Sequence, residues 1–217
     1  MNNVIIIDKR TETRAEVINV TAVVGLLLLL CLAMPIVTQQ FLAGTWYAQN
    51  NQFIIGPMVN AALIYSALRF RKTYNTVGIV LLPSVCTALL GLIGIQAIFL
   101  MYMIPFIWVG NMALVLSFRL MFNKQTGFTS QNRSAQHAYT TTRYTIAAIL
   151  GVLLKVGCIF GGFLLMNSLG VFPTPVAANL WTMMGIVQLI TATAGAIIVY
   201  GAIRAFRLKN RSQQTPA

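Results

Sequence analysis

"TYNTVGIVLLPSVCTALLGLIGIQAIFLMYMIPFIWVGNMALVLSF", residues 73–118, contains no Asp, Glu, Lys or Arg. As one helix at ~1.5 Å per residue it would run roughly 70 Å, more than twice the ~30 Å of a bilayer core. A β-barrel strand needs alternating polarity over about ten residues, and this run does not alternate. The stretch therefore reads as two apolar helices joined by a short turn near "GLIGIQ". Two similar blocks flank it. Residues 17–68 carry no charged side chain, and residues 144–203 carry only Lys155. Each block suits a helical hairpin, giving six spans expected near 16–38, 53–70, 76–95, 99–122, 144–167 and 177–203.

The whole composition agrees with this reading. Of 217 residues, 58% are hydrophobic and 8% charged, and the mean hydropathy is +0.78. So few polar groups cannot clothe a soluble domain. The expected fold is all-α: a polytopic membrane bundle over 16–205, with short tails at 1–15 and 206–217. Outer turns are expected at "AGTWYAQNNQ", where Trp46 and Tyr47 suit the interface, and at "NSLGVFPTPVAAN", where Pro173 and Pro175 stop a helix. The apolar run after the basic N-terminus continues to about Val37, longer than a usual signal core, so it reads as a retained first helix.

A net charge of +12 invites a nucleic-acid reading, but its placement argues against one. Lys9, Arg10 and Arg14 precede the first span, and Arg69, Arg71 and Lys72 join the second to the third. Arg119, Lys124, Arg133 and Arg143 surround the fourth connection, while Arg204, Arg207, Lys209 and Arg211 follow the last span. All fall on one side, which the positive-inside rule makes cytoplasmic. Both termini are then cytoplasmic, the expected location is the cell membrane, and the bilayer is the first partner. Attraction to anionic lipid is a secondary consequence.

Few residues are left for chemistry. Cys31, Cys86 and Cys158 lie in three different spans and read as small hydrophobes. No C-x-x-C or His–Cys cluster offers a metal site. His137, the single histidine, lies in "TSQNRSAQHAYTTTR", read as a polar cytoplasmic loop. Asp8, Glu12 and Glu16 are the only acids, all in or beside the N-terminal tail, and no span interior holds one. A carboxylate proton relay, a serine–histidine–acid triad and a phosphate loop are all missing, so no enzyme and no cofactor is expected.

The polar residues within the spans are Asn60, Asn111, Lys155, Gln188 and Thr191. In hydrocarbon each needs a partner and should face the bundle interior. The plainer role for each Asn or Gln is an interhelical hydrogen bond. Lys155 lies about 16 Å along a helix from Tyr144, too deep for its stem to return the ammonium to the surface. Three states are open to it: neutral through desolvation, charged and held by backbone carbonyls with Asn111 and Gln188, or facing a wet pocket. Ala148, Gly151, Cys158 and Gly162 share its face and leave room for a helix or a ligand. Trp181, Gly185, Gln188, Ala192 and Gly195 form a similar face on the last span, and the two faces are expected to oppose one another. Small-x-x-x-small spacings at Gly157–Gly161, Thr191–Gly195, Ala192–Ala196 and Thr21–Gly25 permit close helix contact.

In order, "FIIGPMVNAALI", "PSVCTALLG", "MIPFIWVGNMALVLSF", "LLKVG" and "QLITATAGA" resemble elements of the substrate-binding S components of energy-coupling factor (ECF) transporters, over about Phe53 to Gly201. The resemblance implies an importer subunit that captures a small vitamin-like nutrient from outside, polar or anionic. It would pair with a membrane T component and two cytoplasmic ATPases. On this view Asn60, Asn111, Lys155 and Gln188 line the pocket. The family often docks its T component on an A-x-x-x-A patch of the first helix; Thr21, Ala22 and Gly25 are the nearest spacing here. The His-rich N-terminal signature of nickel and cobalt S components is missing, which disfavours a metal substrate. The rival reading is a small structural or assembly membrane protein whose buried polar residues only fix helix packing.

Overall fold

The computed structural model describes residues 9–45, 50–70, 72–92, 98–123 and 133–212. Of these 93% are helical and none is in a strand. Helix α1 (Lys9–Leu28) passes through a π-helical turn (Leu29–Ala33) into α2 (Met34–Phe41). Then come α3 (Gln52–Arg69) and α4 (Thr73–Leu92), and a 3-10 turn (Ile98–Met103) leading into α5 (Ile104–Asn123). Helix α6 (Arg133–Ser168) is followed by α7 (Thr174–Thr182), which continues through a second π turn (Met183–Val187) into α8 (Gln188–Ser212).

Five helical stretches are long and apolar enough to cross a membrane: Glu16–Phe41, Thr73–Leu92, Phe99–Phe122, Thr140–Ser168 and Thr174–Ala205. They coincide with five of the six expected spans. The sixth expectation, 53–70, falls on α3, which is helical over 18 residues but less apolar because it holds Gln52, Pro57, Asn60 and Arg69. It is also the enclosed helix, touching α1, α4, α5 and α8. Gly56, Ser66, Ala67 and the whole run from Asn60 to Ile64 are buried. Much of α3 is packed against its neighbours, with Phe53, Ile54 and Tyr65 left exposed, so its buried side can carry polar groups that an outer helix would have to hide.

Two close helix pairs build the bundle, α5 with α6 and α3 with α8. Glycines set both. A Cβ on Gly195 would stand 2.6 Å from Asn60 Cβ and 2.8 Å from the Pro57 carbonyl oxygen. One on Gly110 would stand 2.9 Å from the Lys155 carbonyl oxygen. The Thr191–Gly195 spacing thus packs against α3. Gly157 and Gly161 meet nothing within 4 Å and face outward. Gly170 ends α6 at φ +73°, with Gly170 N–H donating to Asn167 O (3.0 Å) and Val171 N–H to Met166 O (3.2 Å), a Schellman stop. Pro35 follows the first π turn. Its ring cannot donate and would crowd the carbonyl of Cys31, which the wider turn relieves.

Apart from Lys155, the basic residues with described side chains gather at one end of the bundle, where several polar contacts tie helices together. Glu16 accepts from Asn75 Nδ2 (3.1 Å) and the Lys72 N–H (3.2 Å), joining α1 to α4. Arg119 donates to Phe70 O (2.8 Å) and to the hydroxyls of Thr73 (3.1 Å) and Thr76 (2.6 Å). Arg143 donates to Met121 O at 3.1 Å, and Tyr144 OH to Ala196 O at 2.7 Å. The outer faces of the helices carry exposed Leu120, Ile186 and Ile197, as lipid contact requires.

Two expectations change. The segment "TSQNRSAQHAYTTTR" is not a loop from Arg133 onward but the first turns of α6, whose 36 residues extend past a bilayer. Once the buried part of the helix is formed, each further residue adds a hydrogen bond without a new nucleation cost. Helix α1 likewise begins at Lys9, ahead of the expected 16. Trp46, Tyr47, Ser130 and most of the turn near "GLIGIQ" lie outside the described residues.

Candidate functional site

Four helices carry a polar residue at one common level, between two apolar clusters. On the basic side is a cluster with Leu63, Ile64, Leu114, Val152 and Ala192; on the other is one with Met103, Ile159, Phe163, Leu180 and Met184. Asn60 of α3, Asn111 of α5, Lys155 of α6 and Gln188 of α8 stand between them and line a single cavity of about 140 Å³. The structure therefore brings together all four residues singled out from the sequence. It adds Ser84 and Thr87 of α4 and Thr191 of α8. Asn51 and Gln52, at the end of the bundle away from the basic residues, also line it. Ser84 sits in "PSVCT"; a hydroxyl in the middle of a charge-free run was the signal that would have marked it.

Lys155 is 3% exposed, and its Nζ donates to Asn60 Oδ1 at 2.5 Å. Asn60 is itself held by Nδ2 donating to Gly56 O at 2.9 Å, which turns its oxygen toward the lysine. The lysine's partner is thus Asn60 of α3, reached across the cavity, and not Asn111 and Gln188. The space expected beside Lys155 is partly filled. A Cβ on Gly151 would meet Leu114 at 3.0 Å, and one on Gly162 would clash with the Phe106 ring. Helix α5 occupies that side, and the open volume lies toward the first π turn, α2, α3 and α4.

The expected opposition of the two small faces is not what the structure shows: Gly151 and Gly162 pack on α5, and the last span meets α6 at Phe160 instead. Trp181 packs edge-on against Phe160 at 4.9 Å, and Gly185 faces the same ring. Below the π turn the face has rotated, and Gly195 meets α3 instead. A π turn changes the residues-per-turn count and so redirects every later side chain.

Two acceptors in the cavity have no hydrogen-bond partner: Asn111 Oδ1 and Ser84 Oγ, each on a residue 2% exposed. Such groups cost about 1–3 kcal/mol when left unpaired. The cavity is also where the backbone is least regular. Both π turns border it, through Leu30 and Cys31 and through Gln188, and Pro35 and Pro83 line it. Irregular backbone at membrane depth persists where it lines a cavity or is buried in protein.

Two larger grooves, about 400 Å³ between α6 and α8 and about 570 Å³ along α1, α3 and α8, are walled by apolar side chains. Their few polar groups lie among predominantly apolar walls and do not include a buried unpartnered atom. Thr21, Ala22 and Gly25 are exposed on α1, away from the cavity, and a Cβ on Gly25 would meet nothing within 4 Å. Among the described residues no three His, Cys, Asp or Glu side chains cluster as metal ligands. Comparison with models of protein families, with characterised proteins and with solved structures finds no match to the chain.

Proposed function

We propose that this chain is the substrate-binding subunit of an ECF-type importer, a six-span protein of the cell membrane with both termini cytoplasmic. Helix α3 is the sixth span, able to cross because its neighbours screen its polar groups. The basic end of the bundle faces the cytoplasm, and the cavity is reached from outside past Asn51 and Gln52. The observation that carries the reading is the convergence of Asn60, Asn111, Lys155 and Gln188 on one cavity with two unpartnered buried acceptors. Residues that only fix packing satisfy one another; these leave hydrogen-bonding capacity aimed at an open volume.

The chain binds a small polar nutrient, and a T component with two cytoplasmic ATPases supplies the energy. Thr21, Ala22 and Gly25 form a lipid-facing strip of small side chains on which a partner helix can approach closely. The alternative, an assembly protein without substrate, draws on the Lys155–Asn60 bond, which ties α6 to α3. Uptake separates the two. Cells co-expressing this chain with a T component and its ATPases should accumulate a labelled nutrient from a vitamin and precursor panel, and Asn111→Leu should abolish that uptake at equal expression. Uptake identical with and without the chain, for every compound, would remove the importer reading.

A further inference from the structure

The cavity at Lys155 has a definite hydrogen-bonding polarity. Its lining offers Lys155, which as an ammonium has three N–H positions, one of them directed to Asn60 Oδ1. Asn60 is fixed by its own bond to Gly56 O and cannot serve a ligand with that oxygen as well without sharing it. The remaining donor capacity of Lys155 calls for acceptors. The opposite need stands at Asn111 Oδ1 and Ser84 Oγ, which are buried and unpartnered. Asn111 Oδ1 is an acceptor only, so it calls for a donor. Among the described residues lining the cavity there is no Asp, Glu or His. A bound cation would therefore meet Lys155 with nothing to offset it, whereas an anion would supply the counter-charge the bundle lacks. At about 140 Å³ the cavity is smaller than the roughly 300 Å³ at which pockets begin to take drug-sized ligands.

We propose, resting on the reading of this cavity as the substrate site, that its ligand is a small organic monoanion bearing at least one hydrogen-bond donor. The negative group lies against Lys155, and the donor lies against Asn111 Oδ1 and Ser84 Oγ. Gln188 and Thr191, on the α8 wall, complete the polar contact.

Two matched probe sets test this on the purified full-length chain in detergent by calorimetric titration. One is 4-hydroxybenzoate, 4-hydroxybenzamide and 4-hydroxybenzylamine; the other is lactate, lactamide and 1-amino-2-propanol. Each set holds shape nearly constant while charge runs from negative through neutral to positive. In at least one set the acid is expected to bind tenfold or more tighter than its amide and amine. Lys155→Met should erase that preference, and Asn111→Asp, which places a carboxylate in the cavity, should reverse it. Ser84→Ala should narrow the advantage of 4-hydroxybenzoate over benzoate. If Lys155→Met does not fold, the Asn111→Asp reversal decides. An amide or amine that binds as tightly as the acid, or no binding by any probe at millimolar concentration, overturns the ligand class. If an amine or amide binds best and Asn111→Asp or Ser84→Ala alters its affinity, the site stands and only the class falls. If binding is indifferent to all three substitutions, the site reading falls with it.

Discussion

Lys155 is held in the bundle by its hydrogen bond to Asn60 and has no counter-charge, since every acid of the chain lies at or before Glu16. A charge at the bilayer centre costs about 3 kcal/mol on insertion scales. Removing its partner should therefore hurt more than removing the lysine. Asn60→Leu is expected to destabilise the protein by about 1–2 kcal/mol, the upper range for interhelical hydrogen bonds in membranes. Lys155→Met should leave stability unchanged or raised, and the double variant should recover most of the Asn60→Leu loss. Denaturation in mixed detergent micelles measures all three; additive losses would mean that the pair is not coupled. At this scale the sequence pointed to residues that the structure brings together. Asn60, Asn111, Lys155 and Gln188 stood out in otherwise apolar runs, and all four line the cavity. It was silent about which would pair with which, because helical spacing places residues on a face but does not say which neighbour that face meets.

At the scale of helices, the glycines sort into those that touch and those that do not. Gly195→Ala would force its Cβ against Asn60 Cβ and the Pro57 carbonyl, so α3 and α8 must part; a loss of about 1–3 kcal/mol is expected. Gly157→Ala meets open space and gains helix propensity, so it should be neutral or stabilising by up to about 1 kcal/mol. Thermal unfolding of the two single variants checks the contrast; equal midpoints would contradict the packing. Gly25→Leu also meets open space, so the isolated chain should fold and bind ligand normally while losing co-purification with a T component. Retained co-purification would place the docking surface elsewhere. Both Gly157–Gly161 and Thr191–Gly195 have the same spacing in sequence, yet only the second packs. The spacing permits close approach, and the placement of neighbouring helices decides which face is used.

For the whole molecule, the alternation of charged and charge-free segments carries much of the architecture: an all-helical chain with five long apolar helices was legible in it. The enclosure of α3 was not, because hydropathy registers composition and not which helix the others surround. After replacement of Cys31, Cys86 and Cys158, single cysteines at Asn50, Asn75 and Thr174 should divide by side. Membrane-impermeant reagent applied to intact cells should label Asn50→Cys and Thr174→Cys but not Asn75→Cys. Labelling of Asn75→Cys from outside would break the six-span arrangement. The central claim, that the polar level between the two apolar clusters is a substrate site, has a more direct measurement. The purified chain is heated with each compound of a vitamin and precursor panel, beside the Asn111→Leu and Gln188→Leu variants. At least one compound should raise the unfolding midpoint of the parent by several degrees and raise neither variant's. No shift with any compound, or a shift that survives both substitutions, would contradict the account.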